Sequence, residues 1–479
     1  MAEFATIITG GTVITALESF RADIGIEDGR IAAIGTGFTG RQVIDAGGRW
    51  VLPGGVDTHC HLEQLRGDGT TDEENFVTGS SSALTGGTTS AVTFSVQFKG
   101  RPILPDFEAY RQRARQAMID YAFHQIVTDP TDDAVFRELP ILVAQGLRSF
   151  KIFLTYDPLH VDDAGFLRVL AAGRRLGALV TVHCENYAAI GWRTAALLKA
   201  GLTAPKYHAW SRPEVVEREA VQRAIALAEL VGQPIQIFHV SSPTIGREIA
   251  RAQAAGLKVW GETCPQYLLL TASDMDRPGF EGAKFICSPP PREATADGLW
   301  AMIRHGLLDI VSSDHSGYGF ESERGKKQHG ENVPFKDIPN GVPGIAARLP
   351  LLFSEGVVKG RISPNQFAAV TAYNPARLFG LTQKGRIAPG ADADLVLWDP
   401  EREVTLTNAL MQHAIDYTPY EGMRVTGWPT LVLRRGEIVM NEGRILATPG
   451  SGRFLAVEPY DFIRPETDPP NGFDAALYG

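Results

Sequence analysis

Six ionisable residues of this chain could together hold metal ions, although they lie far apart in the sequence. They are four histidines, one lysine and one aspartate: His59, His61, Lys151, His183, His239 and Asp314. Neutral imidazoles and carboxylates suit zinc and related divalent ions, and a two-metal site activates water for hydrolysis. The residue types are therefore compatible with a site for one or two divalent metal ions.

Taken singly, each of these positions is weak evidence. A lone histidine such as His183 or His239 is more often a satisfied core or rim residue than a ligand, and Asp314 could be a helix cap or a turn residue. Lys151 differs because it lies inside the apolar run SFKIFL, where an ammonium must be paired, neutralised or modified. A charged lysine has no lone pair for a metal, so Lys151 could bridge two metals only after modification to an anion.

The elements that must position these residues are eight β-rich runs that alternate with amphipathic helical segments. The runs are GGVDTHCHL, TTSAVTFSV, YAFHQIVTD, RSFKIFLTY, LVTVHCEN, PIQIFHVSS, KVWGETCPQYL and DIVSSDHS. This alternation is typical of parallel βαβ units, and eight parallel strands can close into a barrel. We therefore predict an α/β fold with a TIM (β/α)8 barrel over residues 55–384. The six candidate residues fall at or near the carboxyl ends of the runs, where TIM-barrel active sites are built.

Both ends of the chain read as short strands without helical periodicity, over residues 1–54 and 385–450. Neither end has enough strands for its own core, so we predict one small β-sandwich domain formed from both. Residues 316–343 are polar and glycine-rich, which indicates an active-site loop. Residues 451–479 contain RPETDPPNG, and we predict a C-terminal tail that contacts a neighbouring subunit.

The composition favours a globular protein that acts on a small molecule. Hydrophobic residues make up 44% of the 479 residues, and the formal net charge is -9 without a basic cluster, which argues against a nucleic-acid or anionic-membrane surface. The chain has no apolar run of about 18 residues and no basic signal region, so we expect a cytoplasmic location and no membrane partner. Its four cysteines, without a CxxC pair, are predicted to be reduced thiols.

Longer segments of the chain resemble the amidohydrolase superfamily, and specifically its hydantoinase and dihydropyrimidinase branch. LPGGVDTHCHL, FKIFLTY, HCEN, YHAWSRPEVVE, HVSS, CSPP, IPNGVPGI and KGRIAPGADADLVLWDP resemble family segments and follow the family order. The resemblance implies two divalent metal ions, usually zinc, bridged by an N-carboxylated Lys151. It also implies that His59, His61 and Asp314 hold one metal and that His183 and His239 hold the other. The resemblance also implies that the protein assembles as a homotetramer.

The resemblance further implies a small cyclic amide substrate, a hydantoin or a dihydropyrimidine, whose ring opens to an N-carbamoyl amino acid. Tyr156, five residues after Lys151, resembles the family tyrosine whose hydroxyl stabilises the oxyanion formed during the reaction. Ser288 and Asn340 match positions that bind the ring amide through main-chain groups. Asp314 would carry a proton from the attacking water to the leaving nitrogen.

Two departures from the branch keep other substrates open. Residues 62–67 read LEQLRG where hydantoinases present an apolar loop, and residues 316–338 are longer and more charged than usual, so a cyclic imide or another ureide is an alternative. Allantoinase and dihydroorotase share the metal set but usually carry an arginine where this chain has Glu63. A non-catalytic assembly homologue, like the collapsin response mediator relatives, is disfavoured because every ligand type is retained.

Overall fold

The computed structural model describes residues 3–465, and the chain begins with short strands. These are β1 Glu3–Thr9, β2 Thr12–Ile14, β3 Ser19–Arg21, β4 Asp23–Glu27, β5 Arg30–Gly35, β6 Thr39–Asp45 and β7 Trp50–Pro53. Within the described residues, β5, β4, β1 and β6 form one sheet in that order, while β7, β2 and β3 join a second sheet. The remaining strands of the second sheet come from the other end of the chain.

A parallel sheet follows, with strands β8 Gly55–Cys60, β9 Thr88–Val96, β10 Asp120–Ile126, β11 Ser149–Phe153, β12 Leu179–His183, β13 Ile235–Ile237, β14 Val259–Thr263 and β15 Ile310–Val311. Among residues 3–465 these eight strands lie side by side in chain order. The sheet closes just beyond β15, where the Asp314 amide donates to the His59 carbonyl at 2.8 Å and the His61 amide to the His315 carbonyl at 2.7 Å. The predicted (β/α)8 barrel is confirmed.

Helices connect the barrel strands and follow the last of them. They are α1 Phe76–Thr85, α2 Ile103–Ala114, α3 Leu139–Ala144, α4 Asp163–Leu176, α5 Tyr187–Lys199, α6 Tyr207–Ser211, α7 Glu214–Val231, α8 Pro243–Ala254, α9 Pro265–Leu269, α10 Ala296–Arg304, α11 Arg348–Leu352, α12 Pro364–Ala368 and α13 Asn374–Leu378. Helix α7 begins after Pro213 and ends at Gly232, whose φ of 66° is the left-handed conformation that glycine adopts readily. Within residues 3–465, no helix is both long and apolar enough to cross a bilayer.

Strands from the amino-terminal and carboxyl-terminal parts of the described chain meet in a second module beside the barrel. After the barrel come β16 Leu395–Thr405, α14 Asn408–Met411, β17 Arg424–Arg434, β18 Glu437–Asn441 and β19 Arg444–Ile445. Strand β16 pairs antiparallel with β7, with Val396 opposite Leu52. Apolar residues of both sheets, including Ile24 and Leu397, share one core. The predicted β-sandwich built from both ends is confirmed, whereas the domain limits at residues 54, 384 and 450 stay predictions.

Residues 451–465 run along the amino-terminal end of the barrel. The Leu455 amide donates to the Tyr121 carbonyl at 2.7 Å, and the Val457 amide donates to the Gly146 carbonyl at 2.9 Å. This part of the predicted tail therefore packs on its own barrel. Residues 466–479 lie outside the described residues, so the predicted subunit contact of the tail stays a prediction.

The main core fills the space between the barrel strands and the surrounding helices. Phe150 and Ile152 of β11 pack in the same cluster as Phe166 and Val169 of α4. Burying each such side chain contributes about 1.5–3 kcal/mol. This packing holds the strand ends, and with them the candidate site residues, in a fixed arrangement.

Candidate metal centre

The six candidate residues lie around the carboxyl-terminal mouth of the barrel. Three of them lie within strands: His59 in β8, Lys151 in β11 and His183 in β12. The other three, His61, His239 and Asp314, lie on the segments just beyond β8, β13 and β15. His239, Asp314 and Tyr156 have φ angles of 41°, 48° and 70°. This left-handed backbone conformation is uncommon outside glycine and is found preferentially at functional sites.

His59, His61 and Asp314 form one cluster. The Oδ1 atom of Asp314 lies 3.1 Å from His59 Nε2 and 3.5 Å from His61 Nε2. One potential ligand atom from each residue lies within 4.8 Å of the other two. This donor set of two imidazoles and one carboxylate matches the preference of zinc and similar divalent ions.

His183 and His239 form a second cluster. The Nδ1 atom of His183 lies 2.7 Å from Nε2 of His239, and the two rings are nearly perpendicular, with centroids 4.3 Å apart. Two ring nitrogens at this distance can share only one proton, and a cation can take the place of that proton. The His239 ring also lies 5.4 Å from the His59 ring, so the two clusters adjoin.

Lys151 is fully buried, and its Nζ atom has no hydrogen-bond partner among the described residues. It lies 3.9 Å from the centroid of the Phe238 ring, which in turn lies 4.1 Å from the His59 ring. Burial lowers the pKa of Lys151 to about 7, although the Asp314 and Glu262 carboxylates act in the opposite direction. The neutral amine is the form that adds carbon dioxide, so an unpartnered amine in this position fits a site for an N-carboxylated lysine.

The charges of the first cluster favour a bound cation. Burial alone would lower the pKa of His59, but the carboxylates of Asp314 and Glu262 raise it to about 9. Burial raises the pKa of Asp314, but His59, His61 and His239 together outweigh this effect and hold the pKa of Asp314 well below its usual range. The cluster therefore attracts positive charge, which a divalent ion supplies.

Two buried glutamates orient the histidines. His59 Nδ1 donates to Glu262 Oε1 at 2.6 Å, and His183 Nε2 donates to Glu185 Oε2 at 2.7 Å. Each contact fixes the tautomer and leaves the other ring nitrogen free to bind a metal. Burial would raise the pKa of Glu185, but the Arg212 guanidinium, 2.9 Å away, and His183 lower it to about 2.

Sequence reasoning missed both glutamates. A signal for Glu262 existed, because it lies within the seventh barrel run, KVWGETCPQYL. A signal for Glu185 existed in HCEN, where it follows His183 by two residues. The sequence does not show which histidine each glutamate contacts.

A cavity of about 570 Å³ opens onto these clusters. Its lining includes all four candidate histidines with Asp314, and also Tyr156, Ser288 and Asn340. The Asn340 side-chain amide donates to the Tyr156 hydroxyl at 3.4 Å, and Ser288 Oγ lies 3.3 Å from Nε2 of His208. Burial raises the pKa of Tyr156 to about 12, so its hydroxyl keeps its proton near neutral pH. The structure thus brings the predicted substrate-binding residues to the same cavity.

Part of the segment 62–67 forms one wall of the cavity, but the Glu63 side chain does not line it. The Glu63 side chain turns away and accepts a hydrogen bond from the Phe76 amide at 3.2 Å, at the start of α1. Gln64, Leu65 and Arg66 line the cavity instead. The long loop after β15 adds further polar residues to the wall: Tyr318, Gln328, His329, Lys336 and Asp337.

Comparison with known proteins shows similarity over nearly the whole chain. The amidohydrolase family profile matches residues 50–439. D-hydantoinase of Geobacillus stearothermophilus is 43% identical over 469 residues, which cover 96% of this chain and 98% of that protein. A crystal structure of D-hydantoinase matches with a TM-score of 0.92 at 41% identity, and the match covers 95% of this chain and 99% of the D-hydantoinase chain. The dihydropyrimidinase from Brevibacillus agri NCHU1002 matches with a TM-score of 0.92 at 40% identity, covering 95% and 99%.

Proposed function

We propose a reaction from the premise that this chain belongs to the amidohydrolase family, in its hydantoinase and dihydropyrimidinase branch. The chain is a cyclic amide hydrolase that opens the ring of a hydantoin or a dihydropyrimidine to an N-carbamoyl amino acid. This proposal rests mainly on one observation. The cluster of His59, His61 and Asp314 and the His183–His239 pair line the same cavity. We also expect a cytoplasmic homotetramer, as the resemblance implies.

The proposed metal centre contains two divalent ions, with zinc as the expected metal. His59, His61 and Asp314 would hold one ion, and His183 and His239 the other. An N-carboxylated Lys151 would be the anionic ligand shared by both, which is consistent with its buried and unpartnered amine. When bound, the ions would polarise the amide carbonyl and lower the pKa of water.

Asp314 is the proposed proton carrier. Its carboxylate lies on the cavity wall beside His59 and His61 and is ionised near neutral pH, so it can accept the proton of the attacking water. The proton then passes to the ring nitrogen as the C–N bond breaks, which makes that nitrogen a better leaving group.

Tyr156 is the proposed donor to the oxyanion. Its hydroxyl is protonated near neutral pH, and Asn340 donates to its oxygen, which leaves the hydroxyl hydrogen free to point elsewhere. A fixed donor aimed at developing negative charge stabilises the transition state more than the ground state. Main-chain groups at Ser288 and Asn340 would bind the ring amide. The cavity of about 570 Å³ lies in the range usual for small-molecule sites.

A substrate panel on the metal-replete enzyme tests this function. It comprises hydantoin, 5-substituted hydantoins, dihydrouracil, allantoin, dihydroorotate, succinimide and phthalimide, followed by the loss of ring absorbance. We expect the fastest turnover with a hydantoin or dihydrouracil. The Asp314→Asn variant, assayed in the same way, is the control for background loss of absorbance. Turnover restricted to allantoin, dihydroorotate or an imide would reassign the substrate. A folded protein that binds no divalent metal and turns over none of them would support the assembly homologue instead.

A further inference from the structure

Lys326, in the long loop after β15, has a fully buried side chain. Its ammonium donates to three main-chain carbonyls, of Ile286 at 2.9 Å, Pro339 at 2.6 Å and Gly341 at 2.6 Å. An ammonium has three N–H donors, so each donor has an acceptor. None of these three acceptors is a carboxylate.

The three carbonyls belong to the two backbone segments that carry the proposed ring-binding residues. Ile286 precedes Ser288 by two residues, and Pro339 and Gly341 flank Asn340. The main chain also joins the two segments directly, because the Gly341 amide donates to the Ile286 carbonyl at 3.0 Å. Lys326 adds three hydrogen bonds to this junction.

Packing alone does not explain a lysine at this position. A methionine of similar length would fill the space without the cost of removing a charge from water. Burial lowers the pKa of Lys326 to about 7, while the three carbonyl acceptors favour the charged form. Charge-assisted hydrogen bonds are shorter and stronger than neutral ones, so one ammonium fixes the distances among the three carbonyls.

We infer that Lys326 is a positioning residue for substrate binding, which holds the main chain at Ser288 and Asn340 at the spacing that the ring amide of the substrate requires. The inference rests on the proposed function, in which these two positions bind the ring. Because Lys326 acts through the backbone and not on the substrate, its loss is expected to weaken ring binding more than it slows the chemical step.

The experiment compares Lys326→Met with Lys327→Met. Lys327 belongs to the same loop, but it pairs with Glu321 and Glu331 at 2.7 Å, and both of these glutamates are mostly exposed. Both variants remove one positive charge from adjacent positions. With the best substrate of the panel, we expect Lys326→Met to raise KM by at least about tenfold, with kcat within about threefold of wild type and metal content unchanged. We expect Lys327→Met to match wild type in all three.

Hydrogen exchange gives a readout that does not depend on turnover. In Lys326→Met, the main-chain amides of residues 284–288, 337–338 and 340–342 are expected to exchange faster, while those of the barrel strands keep their wild-type rates. Wild-type protein without activity on any cyclic amide would refute the proposed function, and the exchange experiment would still test the junction. KM and exchange rates equal to those of Lys327→Met would overturn the inference.

A second variant covers the case in which Lys326→Met does not fold. Lys326→Gln keeps a polar head with two N–H donors but loses the charge, and we expect a KM about threefold above wild type. A wild-type KM in Lys326→Gln would also overturn the inference, because the carbonyl spacing would then not depend on the ammonium.

Discussion

The replacement Glu262→Gln would remove one negative charge beside Nδ1 of His59, the ring nitrogen that faces away from the proposed metal ion. Both side chains are almost completely buried, and Glu262 Oε1 lies 2.6 Å from His59 Nδ1. The amide oxygen of glutamine can still accept the hydrogen bond from Nδ1. On the other side, Ser312 Oγ donates to Glu262 Oε2 at 2.9 Å and can reverse its role to accept from an amide. The substitution therefore changes charge with little change of shape.

The expected size of the effect follows from what the carboxylate does for the imidazole. Glu262 is one of the two carboxylates that raise the pKa of His59 to about 9, so it also makes the free ring nitrogen a stronger metal ligand. Loss of such an outer partner typically lowers metal affinity 10–100-fold, which corresponds to about 1.4–2.8 kcal/mol. We expect the same range here.

The assay is a competition titration of Zn²⁺ against a chelator, with bound metal counted by elemental analysis. Glu138→Gln is the control, because Glu138 is equally buried but accepts hydrogen bonds from the Ile103 and Leu104 amides at the start of α2, away from the site. We expect weaker zinc binding in Glu262→Gln and wild-type affinity in Glu138→Gln. Zinc affinity within twofold of wild type in Glu262→Gln would refute the reasoning.

Three further predictions concern the same centre. Lys151→Ala is expected to lose most metal and activity, with partial rescue by small carboxylic acids; full turnover without rescue would remove Lys151 as the bridge. Asp314→Asn is expected to keep most of its metal, but its kcat is expected to fall roughly 10²–10⁴-fold. A near-normal kcat would exclude a proton-transfer role for Asp314. Glu185 has its pKa lowered from 4.5 to about 2, so the stability that it contributes is complete above about pH 4.5 and is lost as the pH falls towards 2. Urea unfolding of wild type and Glu185→Gln should therefore converge over this range, and parallel curves would contradict the assigned pKa.

The sequence by itself determined the barrel, the β-sandwich from both ends and the strand ends on which the candidate ligands lie. Hydrophobic periodicity reports which residues face a core, and parallel strands must present their carboxyl ends on one side. Those two facts suffice to predict that His59, His183 and Asp314 lie at one barrel mouth. They do not depend on any contact between side chains.

Only the tertiary structure decided which side chains contact each other at that mouth. Glu262 reaches His59 across 203 residues of chain, and nothing local in either segment encodes the other. Glu63 has a φ of 47°, and its side chain accepts a hydrogen bond from the Phe76 amide at the start of α1. Lys326 reads as a surface charge in a polar loop, yet it is buried against three carbonyls. Such contacts arise from packing between distant segments, because burial makes each buried polar group find a partner wherever the fold supplies one.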